Sequence, residues 1–200
     1  AKGVACAEDR PAQPLLRIYS STLPRAMATV EKLGLPITSY PQLNPLDKGE
    51  YSSWNSKDVY KHKPHLVHMF ENDPFHCRFP GGESFADVVH RLQNVLIEVE
   101  QQTCPVLIVS HSSTVTALYS YFSGVPVSDS YRESIPLHTV IELTPVLGGS
   151  WIERRYSMKK EEDGTAIITQ SEQAKPLTMI DEPGVGGLPE SIFPKGPALV

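Results

Sequence analysis

A short strand that runs directly into a helix occurs twice in this sequence, and this repetition restricts the chain to a small set of folds. The first unit has its strand at residues 15–20, followed by a helix that Pro24 begins and Gly34 ends. The second unit has its strand at residues 106–110 and a helix that Gly124 ends. Two such units predict a parallel sheet with helices packed against it, which is an α/β fold.

One long helix and two further strands complete the regular elements that the sequence predicts. Ser84 caps a helix over residues 85–99, whose apolar residues recur at helical spacing. Residues 139–143 and 151–156 are predicted to be strands that pair across a turn at 148–149. These two strands would form an edge of the sheet.

Two regions have no sustained hydrophobic period. Residues 43–82 contain scattered prolines and predict a long loop with one short helix near 57–61, and long insertions of this kind usually cover a site. Residues 157–200 are first mainly polar and then rich in proline and glycine. This composition predicts an extended tail on the surface. The folded domain is therefore expected to span 1–156.

The composition is that of one globular domain and excludes several classes of protein. The chain has 200 residues and a net charge of −5, whereas nucleic-acid binding depends on clustered Lys and Arg, so no nucleic-acid partner is expected. The longest apolar runs are far shorter than the roughly 20 residues that a membrane-spanning helix needs, so no membrane partner is expected either. Three cysteines without metal-ligand spacing favour a reducing, cytoplasmic location.

Arg25 and His111 are the residues most suited to binding an anion. Both follow a predicted strand of the parallel sheet, at the edge where such sheets bind ligands and where helix N-termini present free N–H groups. A guanidinium binds phosphate through paired charge-assisted hydrogen bonds, and a neighbouring imidazole can donate another. The residues alone leave an alternative open, in which Arg25 is a solvated helix residue and His111 a hydrogen-bonded loop histidine.

Four histidines lie close together in the sequence, as metal ligands often do, but they lack the spacing of a known metal-binding motif. The group consists of His62, His65, His68 and His76. Pro64 interrupts any helix that would align them, and a spacing of three is not by itself a zinc signature. No metal site and no cofactor are predicted.

Five segments, in the same order along the chain, resemble segments of the histidine phosphatase superfamily. They are SSTLPRAMATVEKLG (20–34), LNPLDKG (43–49), RFPGGESFADVVHRL (78–92), VLIVSHSSTV (106–115) and PLHTVIELTPV (136–146). The FPGGES and PLHTVIELTP strings resemble the bisphosphatase domain of the bifunctional 6-phosphofructo-2-kinase/fructose-2,6-bisphosphatases. The resemblance implies a three-layer, phosphoglycerate mutase-like α/β sandwich with a mainly parallel sheet and helices on both faces.

The resemblance also implies a reaction and a set of site residues. In the family a histidine attacks the C2 phosphate of fructose 2,6-bisphosphate, and water later hydrolyses the phosphohistidine. Arg25 is similar to the phosphate-binding arginine, and His111 to the second active-site histidine. Asn44, Arg78 and His138 are assigned to substrate binding on the same basis, although packing or fixing a loop is an equal alternative for His138.

The chain departs from the family at the groups that carry catalysis. The nucleophilic histidine of the family lies in an Arg-His-Gly strand, which this sequence lacks. Residues 1–7 resemble part of the helix that follows it, so the strand either lies in upstream sequence or is absent. An upstream strand is favoured, because a sheet without its central strand would leave backbone groups unpaired. The glutamate that acts as general acid is replaced by Pro45, and such a loss typically reduces a rate by about 10²–10⁴-fold. Asp47 and Glu50 are the nearest carboxyl groups that a shifted loop could use.

The sugar-phosphate pocket of the family has also lost polar groups. Arginine, lysine, tyrosine and glutamine side chains are replaced, in the alignment, by residues with fewer donors and no charge. The replacements are Phe70, Pro74, Phe85, Ser112 and Thr116. A pocket that has lost several hydrogen-bond donors and cations is expected to bind fructose 6-phosphate weakly.

Two functional hypotheses follow. In the first, the domain is a catalytically impaired, regulatory bisphosphatase-like domain; in the second, it is an active sugar-phosphate phosphatase whose phosphohistidine comes from upstream sequence. In both, the expected partners are a phosphate or sugar phosphate, an amino-terminal kinase domain of the same polypeptide, and a second copy of the chain in a homodimer. The loss of the acid favours the first hypothesis.

Overall fold

Three parallel strands form the first sheet of the protein. The computed structural model describes residues 16–133, 135–146, 151–160 and 166–175. In it β1 (Arg17–Ser21) lies between β2 (Ile37–Tyr40) and β3 (Val106–Val109), and pairs in parallel with both. Since β1 and β3 are neighbours in register, their carboxyl ends lie side by side.

The helices of the structure agree in part with those predicted from the sequence. They are α1 (Pro24–Glu31), α2 (Ser56–His62), α3 (Pro64–Asn72), α4 (Phe85–Glu100) and α5 (Ser112–Ser123), with 3₁₀ segments at Pro41–Leu43, Gly49–Tyr51 and Val127–Arg132. The predictions for α1, α4 and α5 are confirmed. Ser84 caps α4 in a reciprocal box with Asp87, and Gly124 ends α5 in the left-handed conformation.

The region predicted as a loop with one short helix contains two helices. α2 is the short helix that the sequence predicts. α3 is not predicted, because a proline such as Pro64 would break a helix if it lay in the interior. Pro64 instead occupies the first turn of α3, where the missing N–H costs nothing. Leu66, Val67 and Phe70 then reach the core, so tertiary packing stabilises α3.

A second, antiparallel sheet follows, and it extends beyond the predicted domain boundary. β4 (Thr139–Pro145) pairs with β5 (Trp151–Lys160), as expected, and β5 also pairs with β6 (Ala166–Lys175). The segment predicted as an extended tail from residue 157 contains, within its described residues, the end of β5 and the whole of β6. β6 is an edge strand whose described side chains at 167–172 are exposed, so it lacks the buried alternation by which a strand is recognised. Residues 176–200, the helix expected at 1–7 and the turn at 148–149 lie outside the described residues.

The core lies between the first sheet and the helices α3, α4 and α5. Tyr19 of β1, Phe70 of α3 and Val88 of α4 are each at most 1% exposed and belong to one cluster. The second sheet is joined to α5 by a buried hydrogen bond, in which the Tyr119 hydroxyl donates to Glu153 at 2.7 Å. Among the described residues, no helix is long and apolar enough to span a bilayer.

Candidate active site

A cavity of about 570 Å³ opens at the carboxyl end of β3. Its walls come from the start of α1, the loop between Pro41–Leu43 and Gly49–Tyr51, the turn into α5, and the residues before β4. The lining residues are Arg25, Ala26, Thr29, Pro45, Leu46, Lys48, Val109, Ser110, His111, Ser112, Ser113, Leu137 and His138. The structure thus brings together Arg25, His111 and His138 from segments far apart in the sequence.

His111 is held between a serine and an arginine. The Nε and Nη2 atoms of Arg25 lie 3.3 and 3.2 Å from Nδ1 of His111, and Ser21 Oγ lies 2.7 Å from its Nε2. Because a guanidinium can only donate, Nδ1 must accept, and the ring proton therefore lies on Nε2 and is donated to Ser21. His111 is a neutral imidazole whose one N–H points away from Arg25.

The charge environment keeps His111 neutral. Burial, together with the positive charges of Arg25 and Arg91, lowers the pKa of His111 from 6.5 to about 4. At neutral pH the ring therefore carries no charge. The acceptor atom of the ring is Nδ1, and Arg25 already donates a hydrogen bond to it.

The lowered pKa of His111 predicts a stability that depends on pH. Between about pH 6.5 and pH 4 the unfolded chain binds a proton at His111 that the folded chain does not bind, so stability falls as the pH falls through this range. Discounted for partial exposure to solvent, the loss should be about 1–2 kcal/mol. Urea unfolding at pH 7 and pH 4.5 should show a larger loss in the wild type than in His111→Gln. Equal losses in both proteins would contradict this assignment.

The loop that carries Pro45 and Lys48 is fastened to α4 through Arg91 and Glu83. Arg91 donates to the carbonyl oxygens of Gln42, Asn44 at 2.7 Å and Pro45 at 3.1 Å, and its Nε donates to Glu83 at 2.9 Å. Glu83 in turn accepts from the backbone N–H of Asp47 at 2.9 Å, and its own N–H donates to the Asp47 carbonyl at 2.8 Å. Neither Arg91 nor Glu83 was predicted to hold this loop.

Two glycines bring this loop into direct backbone contact with residues 80–82. Gly49 has a φ of +52°, and a Cβ there would overlap the Pro80 carbonyl oxygen and lie 2.5 Å from the carbonyl carbon of Gly81. A Cβ on Gly82 would lie 2.6 Å from the Gly49 nitrogen. Only glycine fits at both positions, so the backbone path around Lys48 is closely fixed.

Two of the residues predicted to bind substrate lie outside the cavity lining. The Asn44 side chain accepts from the N–H and the hydroxyl of Thr22, at 3.0 and 2.9 Å, and so joins the loop to the turn before α1. Arg78 pairs with Asp87 at 2.6 Å and donates to the Gly82 carbonyl. The structure places Asn44 beside the site and does not bring Arg78 to it.

The positions at which the sequence is predicted to have lost a catalytic or sugar-binding group also lie partly inside and partly outside the cavity lining. Pro45 and Ser112 line the cavity, whereas Phe70, Phe85 and Thr116 are buried elsewhere and Pro74 is not in the lining. The argument from lost sugar contacts therefore depends chiefly on Ser112. His138 lies in the lining with a φ of +53°.

Carboxylates are absent from the described lining of the cavity. Asp47, one of the two candidates to replace the missing acid, accepts from the N–H of Gly49 at 2.8 Å, and Glu50 is exposed. Lys48, which sequence reasoning missed, is a second cationic side chain in the lining, besides Arg25. In the part of the chain that the structure describes, no three His, Cys, Asp or Glu side chains are grouped so as to hold a metal ion.

Comparison with known proteins identifies the family. Residues 3–157 match the model of the histidine phosphatase superfamily (branch 1). The chain is 30% identical over 168 residues to 6-phosphofructo-2-kinase/fructose-2,6-bisphosphatase 1 of Homo sapiens, covering 84% of this chain and 34% of that protein. It is 35% identical over 139 residues to a fructose-2,6-bisphosphatase of Saccharomyces cerevisiae, covering 70% of this chain and 30% of that protein. The chain thus spans about a third of the length of these relatives.

Solved structures with the same fold are more distant in sequence. The alpha-ribazole phosphatase of Shigella flexneri superposes with a TM-score of 0.53 at 18% identity, covering 84% of this chain and 76% of that one. Bacillus stearothermophilus YhfR superposes with a TM-score of 0.54 at 23% identity, covering 78% of this chain and 73% of that one. The fold is therefore the α/β sandwich of the histidine phosphatases. The chain belongs to the histidine phosphatase superfamily, branch 1, and carries a fructose-2,6-bisphosphatase-like domain of it.

Proposed function

We propose that this domain binds phosphate or a sugar phosphate in the cavity but turns it over weakly or not at all, and so serves a regulatory role. The observation that carries this proposal is the make-up of the cavity wall. Arg25, Lys48 and two histidines line it, and the described lining contains no Asp or Glu. A site of this kind attracts anions and has no carboxylic acid to protonate a leaving group.

Anion binding is supported by the state of Arg25. Its guanidinium donates to Nδ1 of a neutral imidazole at 3.2–3.3 Å, which is a weak partner for a cation. A phosphate oxygen is a much stronger acceptor, and a planar guanidinium can grip two of them at once. An incoming phosphate would therefore take over these donors, and it would then lie against His111.

Weak catalysis is supported by the protons that the cavity can and cannot supply. His111 is neutral, with a pKa lowered to about 4, and its single N–H is committed to Ser21. Pro45 stands where the family has its acid and has no proton to give. Without an acid in reach, the sugar oxygen would have to leave as an alkoxide, which raises the barrier to hydrolysis.

The wider context of the domain is also part of the proposal. These relatives are bifunctional or bisphosphatase proteins about three times the matched length, so we propose an amino-terminal kinase domain on the same polypeptide and a cytoplasmic protein that forms homodimers. The regulatory role would then be exerted on that kinase by ligand bound in the cavity. The competing hypothesis is an active phosphatase that uses a phosphohistidine from upstream sequence.

Binding and turnover measured on the full-length protein test this function. Calorimetry should show binding of inorganic phosphate that Arg25→Met weakens about 10–100-fold, because charge-assisted hydrogen bonds are lost. Arg132→Met, which removes an exposed arginine that is not part of the lining, is the control and should leave phosphate binding unchanged. Release of fructose 6-phosphate from fructose 2,6-bisphosphate should be slow and should rise at least tenfold in Pro45→Glu.

Two results would count against the proposal. If phosphate does not bind, or if Arg25→Met binds it as well as the wild type does, the cavity is not the anion site. If the wild type hydrolyses fructose 2,6-bisphosphate at a rate that Pro45→Glu does not improve, the domain is an active phosphatase with another acid.

A further inference from the structure

We infer that Ser21 is a positioning residue of the cavity, whose hydroxyl reverses its hydrogen bond to His111 when an anion binds. In the structure the hydroxyl accepts from Nε2 of the ring. With phosphate bound it would donate to Nε2, so that the neutral ring can donate to the anion from Nδ1. The inference rests on the proposed function, in which phosphate takes Arg25 away from His111.

The hydroxyl of Ser21 has a hydrogen without an acceptor in the structure. Ser21 ends β1 and is completely buried. Its Oγ lies 2.7 Å from Nε2 of His111 and accepts from the backbone N–H of Leu23 at 3.3 Å, and these are its polar contacts within the described part of the chain. Because the ring proton lies on Nε2, the oxygen accepts in both contacts. A buried donor that remains unpaired is unfavourable.

A bound phosphate would bring an acceptor against an acceptor. Phosphate oxygens that take the donors of Arg25 come to lie beside Nδ1, whose lone pair repels them. The repulsion ends when Nδ1 carries a proton, either in an imidazolium ion or after the ring proton has changed from Nε2 to Nδ1. Burial and the charges of Arg25 and Arg91, which lower the pKa of His111 to about 4, oppose the imidazolium ion. The described lining also contains no carboxylate to stabilise it, so the change of tautomer is favoured.

The change of tautomer gives every one of these groups a partner. Nδ1 takes one proton from water and Nε2 returns one to water, so the number of bound protons stays the same. The Ser21 hydroxyl keeps its own hydrogen and turns it toward Nε2, which has become an acceptor, while its oxygen keeps the bond from Leu23. Since the ring stays neutral, it contributes a hydrogen bond to the anion and no acid for a leaving group.

Nitrogen NMR of the histidine rings follows this change directly. In ¹⁵N spectra of the protein labelled at histidine, protonated and unprotonated ring nitrogens differ in chemical shift, and the spectrum of His111→Gln identifies the signals of His111. Without ligand the proton should lie on Nε2, and with saturating inorganic phosphate it should lie on Nδ1. A proton that stays on Nε2, or protons on both nitrogens, would overturn the inference.

Two neighbouring serines of β1 measure what the hydroxyl contributes to binding. Ser20 and Ser21 are equally buried, but the Ser20 hydroxyl donates to the Ser21 carbonyl oxygen rather than to His111. Calorimetry should show that Ser21→Ala binds inorganic phosphate about tenfold more weakly, because only the wild type gains a partner for a buried donor on binding. Ser20→Ala is the control and should remain within about twofold of the wild type.

The outcomes separate this inference from the proposed function. If phosphate binds to the wild type but the ring proton does not move, or if the two alanine variants bind phosphate equally well, the role of Ser21 fails and the anion site stands. If the wild type does not bind phosphate, the proposed function fails, and the role of Ser21 fails with it. Urea unfolding of each variant establishes that it is folded.

Discussion

Replacing Gly49 with alanine should destabilise the domain by about 3–5 kcal/mol, a large effect for the addition of one methyl group. Two costs add together. The residue has a φ of +52°, which disfavours any side chain, and a Cβ would overlap the Pro80 carbonyl and lie 2.5 Å from the Gly81 carbonyl carbon. These neighbours are backbone atoms, which cannot move aside as a flexible side chain can.

Gly34→Ala is the matched control for this prediction. Gly34 also has a positive φ, of +65°, but a Cβ there would meet no atom within 4 Å. Its replacement should cost about 1 kcal/mol, the strain of the left-handed conformation alone. Free energies of unfolding from urea titrations of both variants and the wild type measure the difference. If the two alanine variants lose the same stability, the close backbone contact at Gly49 is not present in solution.

Replacing Arg91 with methionine should cost about 3–4 kcal/mol. The substitution keeps most of the volume of the side chain and removes its donors. Three backbone carbonyls of the cavity loop lose their partner, and the Glu83 carboxylate, which is only 23% exposed, loses its counter-charge. A partly buried carboxylate without its arginine is the largest part of this cost.

Arg78→Met provides the comparison for Arg91. Arg78 also makes an ion pair, at 2.6 Å to Asp87, but its side chain is 58% exposed, and exposed pairs contribute about 0.2–1 kcal/mol. Chemical unfolding should therefore place Arg78→Met within about 1 kcal/mol of the wild type and Arg91→Met well below it. A loss at Arg91 no greater than that at Arg78 would show that the loop is not held through this arginine.

The regular elements that could be predicted from the sequence are those whose own residues stabilise them. The helix over 85–99 has a cap and a continuous apolar face, and both strand-helix units have clear ends, so these elements are predictable. α3 and β6 are not, for opposite reasons. α3 depends on long-range contacts made by Phe70, and β6 depends on backbone pairing with β5, which leaves no mark on its side chains.

The candidate site was predictable where position along a strand determines position in space. Arg25 and His111 both follow parallel strands, and neighbouring parallel strands bring such residues together, which the structure shows. Arg91, Glu83 and Lys48 could not be found in this way, because their roles depend on how the start of α4 approaches the cavity loop. That approach is a property of the tertiary packing rather than of any local pattern.

The fastening of the cavity loop bears on how such a domain can change over evolutionary time. Every bond by which Arg91 holds residues 42–45 ends on a backbone carbonyl, which any amino acid provides, and the contacts at Gly49 and Gly82 also involve main-chain atoms. The hold of Arg91 on this segment therefore does not depend on which side chains residues 42, 44 and 45 carry. A lineage could change those side chains while Arg91 continues to hold the backbone in the same path.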